Sequence, residues 1–318
     1  MASTEHIPTP AFVIPSVDIS SFLLDASSPA AETVVSEIRI ACMTSGFFQI
    51  TGHGISPTLQ DTVIAAAKAF FSLPHEEKTK FAGSVGRGYE VIGAQALDPS
   101  TKPDLKEGYF VGREDTSRSQ PYRQFEHPNV WPTTVIPDPQ FREPLLAYHA
   151  ALTDLALKVM TILSRGLVGL TPALLADFCH EPVASVRLLH YPPHPADETD
   201  SSVVGAGAHT DFGAITLLFQ DGQSGLQVLN RDTQTWIDVQ PNRDAYVVNV
   251  GDMLDWWTEG KYKSSIHRVI NTSGVDRYSI PFFFDGNLDF VVRPLENPEA
   301  VGVSVGQHLA AKYEEIYL

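Results

Sequence analysis

The stretch Ser185-Val186-Arg187-Leu188-Leu189-His190-Tyr191 opens a region in which the apolar period changes from about 3.6 residues to 2. Seven more short β-rich runs follow, at 206–211, 214–219, 226–229, 235–239, 245–250, 265–271 and 277–284, separated by Gly, Asp and Asn. Eight such runs punctuated by turn residues imply a sandwich or jelly roll. Upstream the pattern is helical. Leu145, Tyr148, Leu152, Leu155, Val159, Met160, Leu163 and Leu167 recur at spacings of three and four, which predicts one long helix with a single buried face, ending near Gly166 to Gly169. Thr171-Pro172 then starts a shorter helix, and 301–316 closes the chain with another. Nearer the start, 14–19 reads as a strand, 32–44 as a helix stopped by Gly46, and 47–50 as a buried strand. Ser56-Pro57 with Gln60 reads as a capping box opening a helix to about Phe71. The Gly-, Pro- and charge-rich stretch 81–134 predicts loops with one strand at 109–111. The expectation is a mainly β core flanked by helices. Two regions are expected, 1–135 with helices and covering loops, and 136–318 with the long helix and the jelly roll.

Composition narrows the function. The chain has 318 residues, 43% apolar and 19% charged, which excludes disordered and fibrous classes. Its 22 Lys and Arg against 38 Asp and Glu leave a formal charge of -16, a field that repels a phosphate backbone, so nucleic acid is not an expected partner. Cys42 and Cys179 form neither a disulfide framework nor a zinc ribbon. No run of 18 apolar residues exists, and 1–15 is interrupted by Pro8, Pro10 and Pro15. A cytoplasmic location away from membranes is the expectation, with the oligomeric state left open.

His209 and Asp211 stand two apart in a predicted strand and so share a face. His267, in another predicted strand, is the best third ligand: two histidines and a carboxylate form the facial triad of non-haem Fe(II) sites, with three positions open. A lone His-x-Asp is a weak signal. A second such pair, His75-x-Glu77 within His75-Glu76-Glu77, lies at a charged helix start facing water. Arg277 and Ser279, also two apart, follow His267 after a turn at Gly274. Pairing of their strand with that of His267 would bring guanidinium and hydroxyl toward the metal. An Arg in so apolar a strand needs a negative partner, either a substrate or cosubstrate carboxylate or a structural Asp or Glu. A zinc hydrolase would need a carboxylate base, and no His-Glu-x-x-His is present. Gly-x-Ser-x-Gly and a complete dinucleotide fingerprint are also missing. A silent binding module would have little reason to keep all three ligands.

Taken in order, His209-Thr210-Asp211-Phe212-Gly213, Ile215-Thr216-Leu217-Leu218, Gly225-Leu226-Gln227-Val228, Asn249-Val250-Gly251-Asp252, His267-Arg268-Val269 and Arg277-x-Ser279 closely resemble the 2-oxoglutarate- and Fe(II)-dependent dioxygenases of the isopenicillin N synthase-like group. Gly46-Phe47-Phe48-Gln49-Ile50 to Gly54 and Phe70-Phe71 to Lys78 extend the likeness over nearly the whole chain. The resemblance implies a double-stranded β-helix with His209, Asp211 and His267 as Fe(II) ligands. It implies that Arg277 and Ser279 bind the distal carboxylate of 2-oxoglutarate and that Tyr191 touches the cosubstrate. Leu189 stands where many relatives have Asn. Substrate contacts are implied at Tyr109, Val111, Arg187, Phe283 and Asp285; Asn249, His190 and Gly251-Asp252 are read as structural, the last as a turn between strands. The implied reaction consumes O2 and 2-oxoglutarate, with ascorbate as a supporting reductant, releases succinate and CO2, and hydroxylates, desaturates, cyclises or rearranges a small metabolite, as in secondary metabolism. An oxidase of the same group that uses O2 without 2-oxoglutarate is the alternative.

Overall fold

The computed structural model describes residues 12–316 apart from positions 85, 116, 118, 195–202 and 272. The chain opens with β1 (Ser16–Asp18), α1 (Ser20–Leu24), α2 (Pro29–Thr44), β2 (Phe47–Thr51), α3 (Pro57–Phe71), α4 (His75–Thr79), β3 (Gly88–Glu90) and β4 (Glu107–Gly112). Helix α2 starts three residues before Glu32, because Ser28 accepts from the Ala31 amide and Pro29 takes the first helical position. At Gly46 the backbone turns with φ 69°, and a Cβ there would lie 1.8 Å from the Lys263 carbonyl oxygen. Only glycine permits this close passage from α2 into β2. Pro57 opens α3 as expected, although Ser56 makes no side-chain cap bond.

Next come α5 (Arg142–Arg165) and α6 (Pro172–Phe178), the latter capped by Thr171, which accepts from the Leu174 amide. The stripe from Leu145 to Leu163 is the buried face of α5. By length and composition α5 is apolar enough to cross a membrane, but half of its apolar window is buried inside this protein, packed on α2, α3, α6 and the sheet.

The second half contains β5 (Val183–Tyr191), β6 (Ala206–His209), β7 (Ile215–Gln220), β8 (Leu226–Asn230), β9 (Thr235–Asp238), β10 (Tyr246–Val250), α7 (Asp252–Trp257), β11 (His267–Val269), β12 (Arg277–Gly286), β13 (Val291–Val292), β14 (Val303–Ser304) and α8 (Val305–Ile316). They form a jelly roll. The major sheet runs β1-β2-β10-β7-β12-β5-β4-β3 and the minor sheet β6-β11-β8-β9. Strands from the N-terminal region thus extend the major sheet at both edges. Alternation divides its two faces. Val186 and Leu188 join the large core beneath the helices, whereas Leu189 and Tyr191 join a smaller cluster with Phe47, Val228, Val247 and Val269 between the sheets.

Four expectations change. Strand β12 does not pair with β11: it lies in the major sheet between β7 and β5, while β11 pairs with β6 and β8 in the minor sheet. Strand β6 ends at His209, so Asp211 sits in the turn beyond it. Gly251-Asp252 starts α7 and is not a strand-to-strand turn. The stretch 81–134 holds β3 as well as β4.

Candidate active site

His209 and His267 face each other as antiparallel register partners in the minor sheet, with ring centroids 4.3 Å apart. Each ring is fixed by the backbone carbonyl two residues before it. The Nδ1 of His209 lies 2.7 Å from the Gly207 carbonyl oxygen and the Nδ1 of His267 lies 3.1 Å from that of Ser265. Donation from Nδ1–H to these carbonyls leaves both Nε2 lone pairs free for a cation. Those Nε2 atoms are 3.9 Å and 3.7 Å from Asp211 Oδ1. One ligand atom from each of the three residues lies within 4.8 Å of the others, a group that could hold a metal ion. Burial pushes the His209 imidazole well below its ordinary value, and the neighbouring His267 adds to this, so the ring is neutral and competent as a ligand.

Asp211 owes its aim to residues that the sequence reading left as structural or did not single out. Its Oδ2 accepts from Thr216 Oγ1 at 2.5 Å and from Asn249 Nδ2 at 2.7 Å, which turns Oδ1 toward the histidines. Burial alone would raise this carboxyl, but the two histidines and these hydrogen bonds hold it below the usual carboxylate range. The start of α7 clamps the same loop: the Asp252 amide donates to the Asp211 carbonyl at 2.7 Å, and Thr210 Oγ1 donates to Asp252 Oδ2 at 3.1 Å. Gly251 allows the contact, since a Cβ there would lie 2.3 Å from the Gly213 carbonyl oxygen.

Across from the cluster, on the inner face of the major sheet, Arg277 is fully buried. Its Nη2 donates to Gln220 Oε1 at 2.8 Å and its Cζ lies 5.0 Å from the Tyr191 ring centroid. Its Nε and Nη1 are buried without a hydrogen-bond partner among the described residues. Orphaned guanidinium donors in an otherwise apolar wall call for an acceptor such as a carboxylate. Arg277, Ser279 and Tyr191 line a cavity of about 570 Å³, its opening included, that His209, Asp211 and His267 also line. The convergence expected from pairing with the His267 strand is therefore reached across the gap between the sheets.

A second cavity, about 540 Å³ with its opening, shares Leu97, Arg187, His209, Asp211 and Phe283 with the first. Phe110, Phe212, Leu309 and Tyr313 form its apolar walls and Asp285 a polar corner. Arg187 pairs with Glu90, donates to Gln95 Oε1 at 3.0 Å and stacks 4.5 Å over Phe110. Of the implied substrate contacts, Arg187, Phe283 and Asp285 line this cavity, but Tyr109 and Val111 do not. Tyr109 packs between Phe70 and Phe141 with its hydroxyl on the Val130 carbonyl, and Val111 lies in the same core. Strand alternation is the reason: on β4 it is Phe110 that faces the site. Gln95, Phe212, Leu309 and Tyr313 were also missed. The C-terminal helical pattern was legible, but nothing local in it marks the turn of α8 that lands here. His75 and Glu77 lie on α4, away from the triad.

A jelly roll with a buried His-Asp-His cluster and an unsatisfied arginine facing it is the arrangement of a non-haem iron oxygenase that takes a carboxylate cosubstrate. Comparison with known proteins agrees. Residues 14–134 match the N-terminal region of non-haem dioxygenases in morphine synthesis, and residues 182–286 match the 2OG-Fe(II) oxygenase superfamily. The chain is 47% identical to the 2-oxoglutarate-dependent dioxygenase citB of Monascus ruber, over 90% of this chain and 88% of that one. It is 43% identical to the 2-oxoglutarate-Fe(II) type oxidoreductase hxnY of Emericella nidulans, over 95% and 90%. Among solved structures it resembles a full-length Neurospora crassa protein in complex with alpha-KG and thymine, with a TM-score of 0.84 at 28% identity over 96% and 97% of the two chains. JOX2 in complex with 2OG, Fe and JA has a TM-score of 0.75 at 27% identity over 94% and 84%. The chain belongs to the 2-oxoglutarate- and Fe(II)-dependent dioxygenases, and is an oxidoreductase that uses Fe(II), 2-oxoglutarate and O2.

Proposed function

We propose that His209, Asp211 and His267 hold Fe(II), that Arg277, Ser279 and Tyr191 seat 2-oxoglutarate, and that the second cavity takes a small, largely apolar or aromatic metabolite of secondary metabolism. The observation that carries this is the pair of orphaned Arg277 donors opening onto the cavity that the triad lines. Iron held there would supply O2 activation, with O2 as the oxidant and 2-oxoglutarate as the two-electron reductant that leaves as succinate and CO2. The protein's own work is positioning. The Nδ1 contacts fix which ring nitrogen meets the metal, Thr216 and Asn249 turn Asp211, and the arginine fork sets the far end of the cosubstrate.

The substrate assignment rests on the second cavity's lining and on its position beside His209 and Asp211, which it shares with the first. Phe110, Phe212, Phe283 and Leu309 offer apolar contact, while Arg187 and Asp285 offer a place for one polar group. The Neurospora crassa protein with thymine and JOX2 with JA, both small molecules, support the class.

The test is an anaerobic titration of metal-free protein with Fe(II) and then 2-oxoglutarate, following the visible charge-transfer band of a keto acid chelated to iron. The band is expected with wild type and is expected to vanish in Arg277→Ala. Iron binding without a band favours the oxidase that works without 2-oxoglutarate. No iron binding overturns the ligand assignment.

A further inference from the structure

A third cation borders the cosubstrate cavity. Lys106, just ahead of β4, is 4% exposed and lines the cavity with Tyr191, Leu189, Arg277 and the histidine cluster. The β4–β5 register pairs Glu107 with His190, so Lys106 comes beside Tyr191, whose partner on the other side is Arg277 in β12. The two cations thus flank one tyrosine along the inner face of the major sheet. Lys106 lies on the side of β6, the strand that carries His209: its partner Asp104 accepts from the Gly207 amide.

The Lys106 ammonium is only partly satisfied. It offers three donors, and its one hydrogen-bond partner among the described residues is Asp104 Oδ2. Asp104 is itself anchored, since its Oδ1 accepts from the Gly207 amide in β6 at 2.9 Å. Asp104 therefore ties the ammonium to the strand that carries His209, and Lys106 is part of the cavity wall there. Burial, partly offset by Asp104, pushes the ammonium down to about 8, as expected for a buried cation short of acceptors. Leu189, another wall residue on β5, offers no polar side-chain atom.

Resting on the reading of this cavity as the cosubstrate site, we propose that Lys106 is a second anchor for 2-oxoglutarate, its ammonium donating to the C1 carboxylate at the metal end while Arg277 and Ser279 hold the C5 carboxylate. The dicarboxylate is then gripped at both ends by different cations. Asp104 is the positioning residue that aims Lys106.

The experiment is calorimetric titration of the full chain, Fe(II)-loaded and anaerobic, so that binding is read without turnover. Three ligands are compared: 2-oxoglutarate, 2-oxobutyrate, which lacks the C5 carboxylate, and 4-oxopentanoate, which lacks the C1 carboxylate. Lys106→Met is made alone and together with Asp104→Asn; the double variant leaves no unpaired buried carboxylate and keeps an acceptor for the Gly207 amide. Lys106 variants are expected to bind 2-oxoglutarate and 2-oxobutyrate at least about tenfold more weakly, with 4-oxopentanoate within about twofold of wild type, as the loss of one charge-assisted hydrogen bond implies. Arg277→Met is expected to show the opposite selectivity. Unchanged 2-oxobutyrate binding in the double variant, with Arg277→Met still impaired toward 2-oxoglutarate, overturns the role of Lys106 and leaves the cavity assignment standing. Equal weakening of all three ligands also overturns it, by making Lys106 a structural support. If Arg277→Met too binds all three like wild type, the cosubstrate reading of the cavity falls.

Discussion

Replacing Arg277 by methionine separates a cosubstrate anchor from a structural cation, because the two roles predict opposite effects on the protein without cosubstrate. In the structure the guanidinium is fully buried, receives one neutral acceptor, Gln220, and one aromatic face, Tyr191, and has two orphaned donors. Burying such a charge without a counter-ion is costly, and replacing buried charges by apolar residues of similar volume is often neutral or stabilising by about 1–4 kcal/mol. Arg277→Met is therefore expected to leave the melting temperature of the cosubstrate-free protein unchanged or raised. Binding behaves oppositely. Two charge-assisted hydrogen bonds at about 1.5–3 kcal/mol each amount to about 3–6 kcal/mol. At about 1.4 kcal/mol per decade, the affinity for 2-oxoglutarate should fall roughly 10²- to 10⁴-fold. Thermal melts with and without cosubstrate, and calorimetric titration under anaerobic Fe(II), read both effects. A variant that melts far below wild type without ligand, yet keeps its 2-oxoglutarate affinity within a few-fold, would refute the reasoning and make Gln220 and Tyr191 the real purpose of the arginine.

Asn249→Leu removes one of the two donors that turn Asp211, and should weaken Fe(II) binding about 10- to 100-fold, the usual consequence of losing a hydrogen bond behind a metal ligand; competition against a colorimetric chelator measures it, and unchanged affinity would assign Asn249 to packing alone. The neighbours Tyr109 and Phe110 should behave differently: Tyr109→Ala is expected to cost about 3–5 kcal/mol of stability in urea melts as a core truncation, whereas Phe110→Ala should mainly raise the substrate KM or uncouple succinate formation from substrate oxidation. His190 predicts a pH effect. Burial works against its charged form, but Glu107 and Asp276, each 2.8 Å from a ring nitrogen, hold the imidazole above its ordinary value. Its contribution to stability is accordingly complete below the unfolded pKa of about 6.5 and is lost as pH rises through the higher folded value. Urea midpoints from about pH 6 to 9 should show a loss above neutrality that His190→Asn flattens; an identical slope in the variant would rule this contribution out.

How much of the site could be read in the chain differs from residue to residue. His209, Asp211 and His267 were legible because residue type limits metal chemistry so tightly, and Arg277 because a guanidinium in a run as apolar as Tyr278-Ser279-Ile280-Pro281-Phe282 is expensive wherever it lies. Asn249 and Thr216 were not, since an Asn or Thr in a strand has many uses and only its hydrogen-bond partner distinguishes them. Tyr109 and Val111 failed by one step of strand parity. Tyr109, Phe110 and Val111 put apolar side chains on both faces of β4 (Glu107–Gly112), which is buried on both, so no alternation marks which of them faces the site.

Sequence alone determined the class of elements, the long helix and its buried stripe, the β-rich second half, the residue types of the triad and the Arg-x-Ser pair. These depend on local periodicity and intrinsic side-chain chemistry, which travel with the chain. Tertiary structure alone decided which sheet each strand joined. β12 went to the major sheet and β11 to the minor one, so that Arg277 meets the triad across the sandwich. It also placed Asp211 beyond the end of β6, set Lys106 beside the same cavity, and brought Leu309 and Tyr313 of α8 to the wall of the second cavity. Strand partners are chosen by hydrogen bonding and packing between segments tens of residues apart, and no local period in the sequence records that choice.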